Sequence, residues 1–407
     1  MRIVHLCTSD FGGAAMAAVQ LHVELLRRNE QSVFITLNKT RKDIPNHFVT
    51  NGFDTMHFPG MGRFEYKVKA AFQKYGIIDD KRNQPDNFHL KNKSPEREVF
   101  TLPYSYFNIL NHPEVQSADL IHLHWVSFGM IDYGKFFSEI SKPVVWTLHD
   151  MYPFTGGCHH ADECTLFEDS CSNCPQLPDQ KVVRKWWKYK QNALSRVPVD
   201  KLQLVVPSSW LGSLGRKSSL LGTFDTQIIR NGFDTGVFHP TEKAAARAKL
   251  ELPQNEMLFL FNAYDVANSR KGIKDLLEAF STSEQGNIRL VCLGSLAGPE
   301  FSGLNILKRG YVSDQRVVAD YFNACDYFVL PSKAENLPNT ICESLLCGTP
   351  VIAYAIGGVK EQVNEKNGFL VSNLSSELLT SAIRQAIEEK SRFNRNGISI
   401  DAQSLYS

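Results

Sequence analysis

The sequence predicts an α/β protein of two domains, each built on a parallel β-sheet, and three observations carry that expectation. The chain has 407 residues, about twice what one hydrophobic core usually organises. Short apolar runs rich in β-branched residues alternate with segments of helical period, the pattern of strands joined by right-handed crossovers. The alternation also runs twice, once before about residue 230 and again after about 255.

In the first half, strands are expected at 2–7, 32–37, 119–123, 144–148 and 202–206, with a helix at 14–28. In the second, strands are expected at 258–262, 288–293, 327–330 and 351–354, interleaved with helices at 273–280, 315–323 and 340–347. The domains are therefore placed at 1–230 and 231–390. RNGFDTGVFHP and the polar TEKAAARAKLELPQN read as the connection between them. Residues 40–118 are polar and proline-interrupted, and read as an insertion of short helices and loops. The pentapeptide NGFDT at 51 and 231 lacks any surrounding repeat and reads as coincidence.

Forty-four basic and forty-three acidic residues leave a formal net charge of +1, so no global field recruits nucleic acid or anionic lipid. The opening MRIVHLCTSDFGG has an apolar run too short for a signal h-region, and no window approaches a membrane span. A cytoplasmic location is expected. Nine cysteines then suit a reducing compartment, where clustered thiols bind metal more often than they pair.

The segment PSKAENLPNTICESLLCGTPVIAYAIGGVKEQV reads as strand end, loop, helix, turn, strand and glycine pair. It places Glu335 on a loop at a strand's C-terminal end and Glu343 in the first turn of the next helix, the edge where open α/β sheets bind ligands. Two carboxylates there can grip a polyhydroxylated group, each accepting hydrogen bonds from two neighbouring hydroxyls. Thr340-x-x-Glu343 also has capping-box spacing, so Glu343 admits a purely structural reading.

The E-x7-E spacing, followed by CGTPVIAYAIGGVKE and NGFLV, resembles the donor-site signature of retaining glycosyltransferases of family 4. That family has the GT-B architecture, two Rossmann-like domains facing across a cleft. The resemblance implies that Glu343 holds the ribose of a nucleotide-sugar and that Glu335, with loop residues Asn336, Leu337 and Asn339, meets the donor sugar. SDFGGAAMAA is similar to the family's N-terminal loop, where Gly12 and Gly13 let the backbone approach a diphosphate at a helix N-terminus. TLHD brings His149 to the cleft, and SRKGIKDLLEAF supplies Lys271 for the diphosphate. The sequence departs from the family in two places. Ala263 stands near a customary arginine, a charge Arg270 is expected to supply, and Pro338 in the donor loop offers no N–H.

The resemblance further implies a retaining hexosyl transfer that needs no catalytic metal, with Lys271, Arg270 and helix N-termini neutralising the leaving diphosphate. Donor positioning, not nucleophilic attack, is the role expected of Glu335. The expected acceptor is a glycan or a polyprenyl-linked saccharide of bacterial capsule, exopolysaccharide or lipopolysaccharide synthesis. In the family a closing helix crosses back to the first domain, so residues 391–407 are expected to return there.

Three features stand outside that core. His122 and His124 share one side of a strand with Trp125 on the other, and read either as acceptor-side residues or as buried structure. KVVRKWWKYKQNALSR, at 181–196, reads either as a contact with the inner leaflet of the membrane, supported by GRFEYKVKAAFQKYG at 62–76, or as a helix whose aromatics pack inward. CHHADECTLFEDSCSNC lies in a Cys-rich insert at 156–178. Cys158, Cys164, Cys171 and Cys174 there end in a C-x-x-C turn suited to a closed structural zinc site, with free thiols or a disulfide as the other reading. A zinc-dependent hydrolase, or a zinc-stabilised interaction protein on a Rossmann-like scaffold, is the competing function. Neither an H-x-E partner nor a strong basic charge supports it.

Overall fold

The computed structural model describes residues 1–50, 99–105, 107–177, 179–265, 268–282, 287–295 and 305–407. Most of the expected insertion, with its segments NGFDT at 51 and GRFEYKVKAAFQKYG at 62–76, lies outside the described residues. The chain divides into two compact units, Met1–Pro207 with Leu211–Ile229, and Ser208–Trp210 with Arg230–Ser407.

The first unit carries a seven-stranded sheet of β1 (Arg2–Leu6), β2 (Gln31–Thr36), β3 (His47–Val49), β4 (Leu120–Leu123), β5 (Val144–Thr147), β6 (Leu202–Val206) and β7 (Thr226–Ile228). Their spatial order is β3-β2-β1-β4-β5-β6-β7, and every pairing is parallel. Reversal of strand order between β1 and β4 makes that junction the unit's topological switch point. The strand β3 falls inside the stretch read as an insertion, so residues 40–50 extend the sheet.

The second unit repeats the plan with β8 (Met257–Asp265), β9 (Ile288–Ser295), β10 (Ile306–Lys308), β11 (Tyr327–Leu330), β12 (Val351–Tyr354) and β13 (Gly368–Val371) in the order β10-β9-β8-β11-β12-β13. Its continuous apolar runs are explained by burial on both faces. Leu258, Leu260, Phe328 and Leu330 enter one core, while Phe259, Phe261, Tyr327 and Val329 enter the other.

Two expectations change here. The stretch read as a connection belongs to the second core: Phe233, Phe238 and Leu252 are buried in it, and Arg247 bonds the carbonyls of Ala324, Gln254 and Glu256 and the carboxylate of Asp326. The tail expected to return to the first domain forms a helix, Arg395–Tyr406, whose Ile398, Ala402 and Tyr406 are buried in the second unit's core. It packs there on the helix Asn339–Leu346, with Ser399 Oγ donating to Leu346 O at 2.7 Å.

Candidate functional site

In the second unit, the loops after β8 and β11 leave the sheet on the two sides of its switch point, where strand order reverses. The loop after β8 ends in a single turn, Ser269–Lys271, closed by Gly272 at φ 68. It presents Arg270 and Lys271 to the loop after β11. Lys271 Nζ lies 2.6 Å from Glu335 Oε1. Arg270 Nη1 lies 3.2 Å from the same oxygen and donates to Ala334 O at 2.7 Å. Arg270 thus stands beside Lys271 on Glu335.

The rest of that loop is tightly held. Asn336 and Leu337 are buried, and Asn336 Oδ1 accepts from Ser208 Oγ at 2.6 Å. Asn339 Oδ1 accepts from Asn231 Nδ2 at 2.9 Å. Gly357 and Gly358 press on the loop so closely that a Cβ on either would fall 1.9 Å from Glu335 O or 2.2 Å from Asn336 O. Both glycines are visible in the sequence as a pair, but only the fold shows what they touch.

The helix Asn339–Leu346 begins after Pro338, which stands at the N-cap with no side-chain cap. Thr340 therefore lies inside the helix and Glu343 is past its first turn, so the capping-box reading of Glu343 falls. No group among the described residues donates to its carboxylate. Burial alone pushes its pKa up to about 7. A carboxyl held this way at the ligand edge of a sheet awaits a hydrogen-bonding partner.

In the first unit, Gly12 precedes the helix Gly13–Arg27 at φ 86, a conformation that favours glycine. A Cβ there would meet nothing within 4 Å, so the position needs glycine for its backbone and leaves open space beside the helix start. On the neighbouring strands the structure assembles a histidine array. The register pairs His5 with His122, and His124 follows two residues on. His124 Nε2 lies 3.0 Å from His5 Nδ1, and His124 Nδ1 lies 3.3 Å from His149 Nε2. His122 Nε2 lies 2.8 Å from Thr147 Oγ1. Both faces of this sheet are covered, so His122 and His124 are buried and their rings bond within the unit. Burial pushes His149 down to about 4 and His122 to about 3, and it holds His5 and His124 well below the usual imidazole range. All four rings are neutral near pH 7.

Trp125 is tied elsewhere, its Nε1 donating to Asp150 Oδ2 at 2.7 Å. The same oxygen lies 2.6 Å from His159 Nδ1. Burial works against ionisation of Asp150, but the His159 ring and hydrogen bond hold its pKa down at about 2. Nothing in the residue pattern signals this pairing across nine positions.

Cys158, Cys164, Cys171 and Cys174 line one cavity beneath Phe167 and Val183. Thiolates on one tetrahedral zinc sit roughly 3.8 Å apart, and no three of these sulfurs come within 4.8 Å of one another. Among the described residues the set whose donor atoms do so is His5, His122 and His124. All four thiols are free, and no step below uses a metal at them. The helix Gln180–Leu194 that follows buries Trp186, Trp187 and Lys190, with Lys190 Nζ bonding the carbonyls of Tyr152 and Thr155. Its tryptophans are thus unavailable to a membrane, and the inward-packing reading holds for them. Lys181, Arg184, Lys185 and Lys188 stay exposed. No described helix is long and apolar enough to cross a membrane.

Comparison with known proteins follows this geometry. Residues 257–389 match the family model described as Glycosyl transferases group 1. A Bacillus subtilis protein named for teichuronic acid biosynthesis, TuaC, is 31% identical over 84% of this chain and 89% of its own. An Escherichia coli protein named for colanic acid biosynthesis, WcaC, is 24% identical over 64% of each chain. This chain thus spans about two thirds of the length of the latter. Solved structures share the fold: HepE from Anabaena, determined with UDP-glucose, superposes at TM-score 0.63 and 17% identity over all of this chain and 96% of that one. WaaG, a glycosyltransferase involved in lipopolysaccharide biosynthesis, does so at 0.60 and 14% over 99% and 94%.

Proposed function

We propose, for a chain that belongs to the group 1 glycosyl transferases and whose similar proteins are named for polysaccharide biosynthesis, that it moves a hexose with retention from a nucleotide-diphosphate donor to a glycan or polyprenyl-linked acceptor of a bacterial surface polysaccharide. One observation carries this reading: Lys271, Arg270 and Glu335 converge at the switch point of the second sheet, on loops flanking the helix of an unpartnered Glu343. Two cations there suit a diphosphate, and the half-buried carboxyl of Glu343 on the following helix suits the ribose hydroxyls. Glu335 neutralises both cations in the ligand-free protein. An incoming diphosphate competes for them and releases Glu335 toward the sugar, where its role is positioning. Charge developing on the leaving diphosphate is then met by Lys271 and Arg270, already in place. A UDP-sugar is the first donor to try, because HepE has been solved with UDP-glucose. A zinc-hydrolase reading finds no support in the relatives.

The test is calorimetric titration of nucleoside diphosphates together with donor hydrolysis across a nucleotide-sugar panel. One diphosphate should bind, and Lys271→Ala should weaken it at least tenfold, about 1.4 kcal/mol. Absence of binding by every member would sink the reading. For a lipid-linked acceptor, the exposed row of Lys181, Arg184, Lys185 and Lys188 offers attraction to anionic headgroups of roughly 1 kcal/mol per charge. Charge reversal at all four is expected to cut retention on anionic vesicles at low salt at least tenfold. Unchanged flotation would remove the membrane from the proposal.

A further inference from the structure

We propose that Ser208–Trp210 is a strap for the loop after β11, and that Ser208 and Glu361 are positioning residues that hold this loop when Lys271 and Arg270 turn to a diphosphate. These three strap residues cluster with the second unit, although Pro207 and Leu211 on either side of them do not. Ser208 is fully buried. Its Oγ donates to Asn336 Oδ1 at 2.6 Å, across 128 positions of the chain.

The next two residues are gripped from the other side. The Glu361 carboxylate accepts from Ser209 N at 3.0 Å and from Trp210 N at 2.7 Å. Those N–H groups open the helix Ser209–Lys217, where backbone donors have no partner within the helix and a carboxylate makes a charge-assisted bond. The turn that carries Glu361, Gly357–Glu361, also holds the loop directly, with Gly358 N donating to Asn336 O at 2.7 Å. A Cβ on Gly358 would lie 2.2 Å from that oxygen and 3.0 Å from Ser208 Cβ, and one on Gly357 would lie 3.6 Å from the Trp210 ring. Strap, loop and glycine turn thus meet with no room for a side chain between them.

The ion pairs give this meeting a purpose. In the ligand-free protein Glu335 is held by Lys271 and Arg270. An arriving diphosphate takes both cations, so the loop loses its ion pairs at the moment when Glu335 has to stay where a sugar can use it. Misplacement of such a group by about 1 Å can cost a hundredfold in rate. The bonds through Ser208, Gly358 and Glu361 use none of the groups that the diphosphate takes, so they outlast its arrival. That purpose rests on the glycosyltransferase reading, whereas the hold on the loop is measured in ligand-free protein, so either can fail alone.

Amide hydrogen exchange in the ligand-free protein tests the hold, read at Lys333, whose N–H donates to Arg270 O at 2.7 Å, and at its neighbours through Leu337. Ser208→Ala should speed exchange there at least roughly threefold, and Glu361→Ala, which strands two N–H groups, roughly tenfold. Thr349→Val is the comparison. It removes an equally buried hydroxyl of the same unit, one that donates to Phe322 O at 2.6 Å, and should leave the loop unchanged; general loosening would move all three variants alike. With whichever nucleotide-sugar the panel identifies, Ser208→Ala should lower kcat about tenfold while affinity for the diphosphate alone stays within about twofold. Exchange as slow in Ser208→Ala as in the parent protein overturns the proposal. So does a loss of diphosphate affinity as large as the loss of kcat, the mark of a site that has merely loosened. If no nucleotide-sugar turns over, the glycosyltransferase reading falls, while a faster-exchanging loop still upholds the strap.

Discussion

At pH 8, Glu343→Gln unfolds at higher temperature than the parent protein, by the equivalent of up to about 3 kcal/mol, and no longer binds a nucleoside diphosphate. Burial raises the Glu343 pKa to about 7 from its ordinary 4.5. As pH climbs through that window the unfolded chain gives up the proton while the folded chain keeps it. Stability is therefore full below about 4.5, falls through the window, and is flat above it. Glutamine cannot ionise, so the variant lacks this decline and the two proteins converge at pH 4. Glu343 is partly exposed, which makes the figure an upper bound. Binding moves the opposite way, because an amide offers one acceptor and a misplaced donor to two ribose hydroxyls. Parent affinity for the diphosphate should also rise as pH passes 7. Thermal unfolding from pH 4 to 8 with parallel calorimetry checks both halves, and a variant no more stable at pH 8 would show that the carboxyl is not strained.

Gly272→Ala costs at least about 3 kcal/mol and removes diphosphate binding, although no charged group is touched. Gly272 has φ 68, and a Cβ there would lie 1.8 Å from Pro331 O. That oxygen is backbone directly after β11, so it cannot swing aside as a flexible side chain would. Gly310 supplies the control: its φ is 70 but nothing lies within 4 Å, so Gly310→Ala pays only for the left-handed backbone, about 1 kcal/mol. The difference between the two variants in chemical denaturation isolates the overlap. Equal losses would mean that the two loops can part freely, and that Lys271 is not held on Glu335 by this contact.

Every strand read from the sequence is present, and the four that it missed among the described residues are β3, β7, β10 and β13. All four are sheet edges. An edge strand is short and faces solvent along one side, so it lacks the continuous apolar run that exposed the central strands. That Glu335, Glu343 and Lys271 gather at one edge of the second sheet was legible for a related reason, since loops at one end of central strands keep a fixed order in the chain. His5 was not. It is a single polar residue inside the apolar RIVHL, and its meaning depends on rings 117 and more residues away. The Trp186–Trp187 pair left two readings open because amphipathic lettering is the same whether the apolar face meets lipid or core.

The helix Arg395–Tyr406 bears on where damage can strike. Ser399 and Arg395 bond the carbonyls of Leu346 and Cys347, Tyr406 O receives Phe233 N, and Gly348 fits only because nothing separates it from Arg395 O. The support of the helix that carries Glu343 is thus completed by residues more than fifty positions further along the chain. A truncation before Asn394 is expected to unseat that helix while leaving Arg270, Lys271, Glu335 and Glu343 all in the chain.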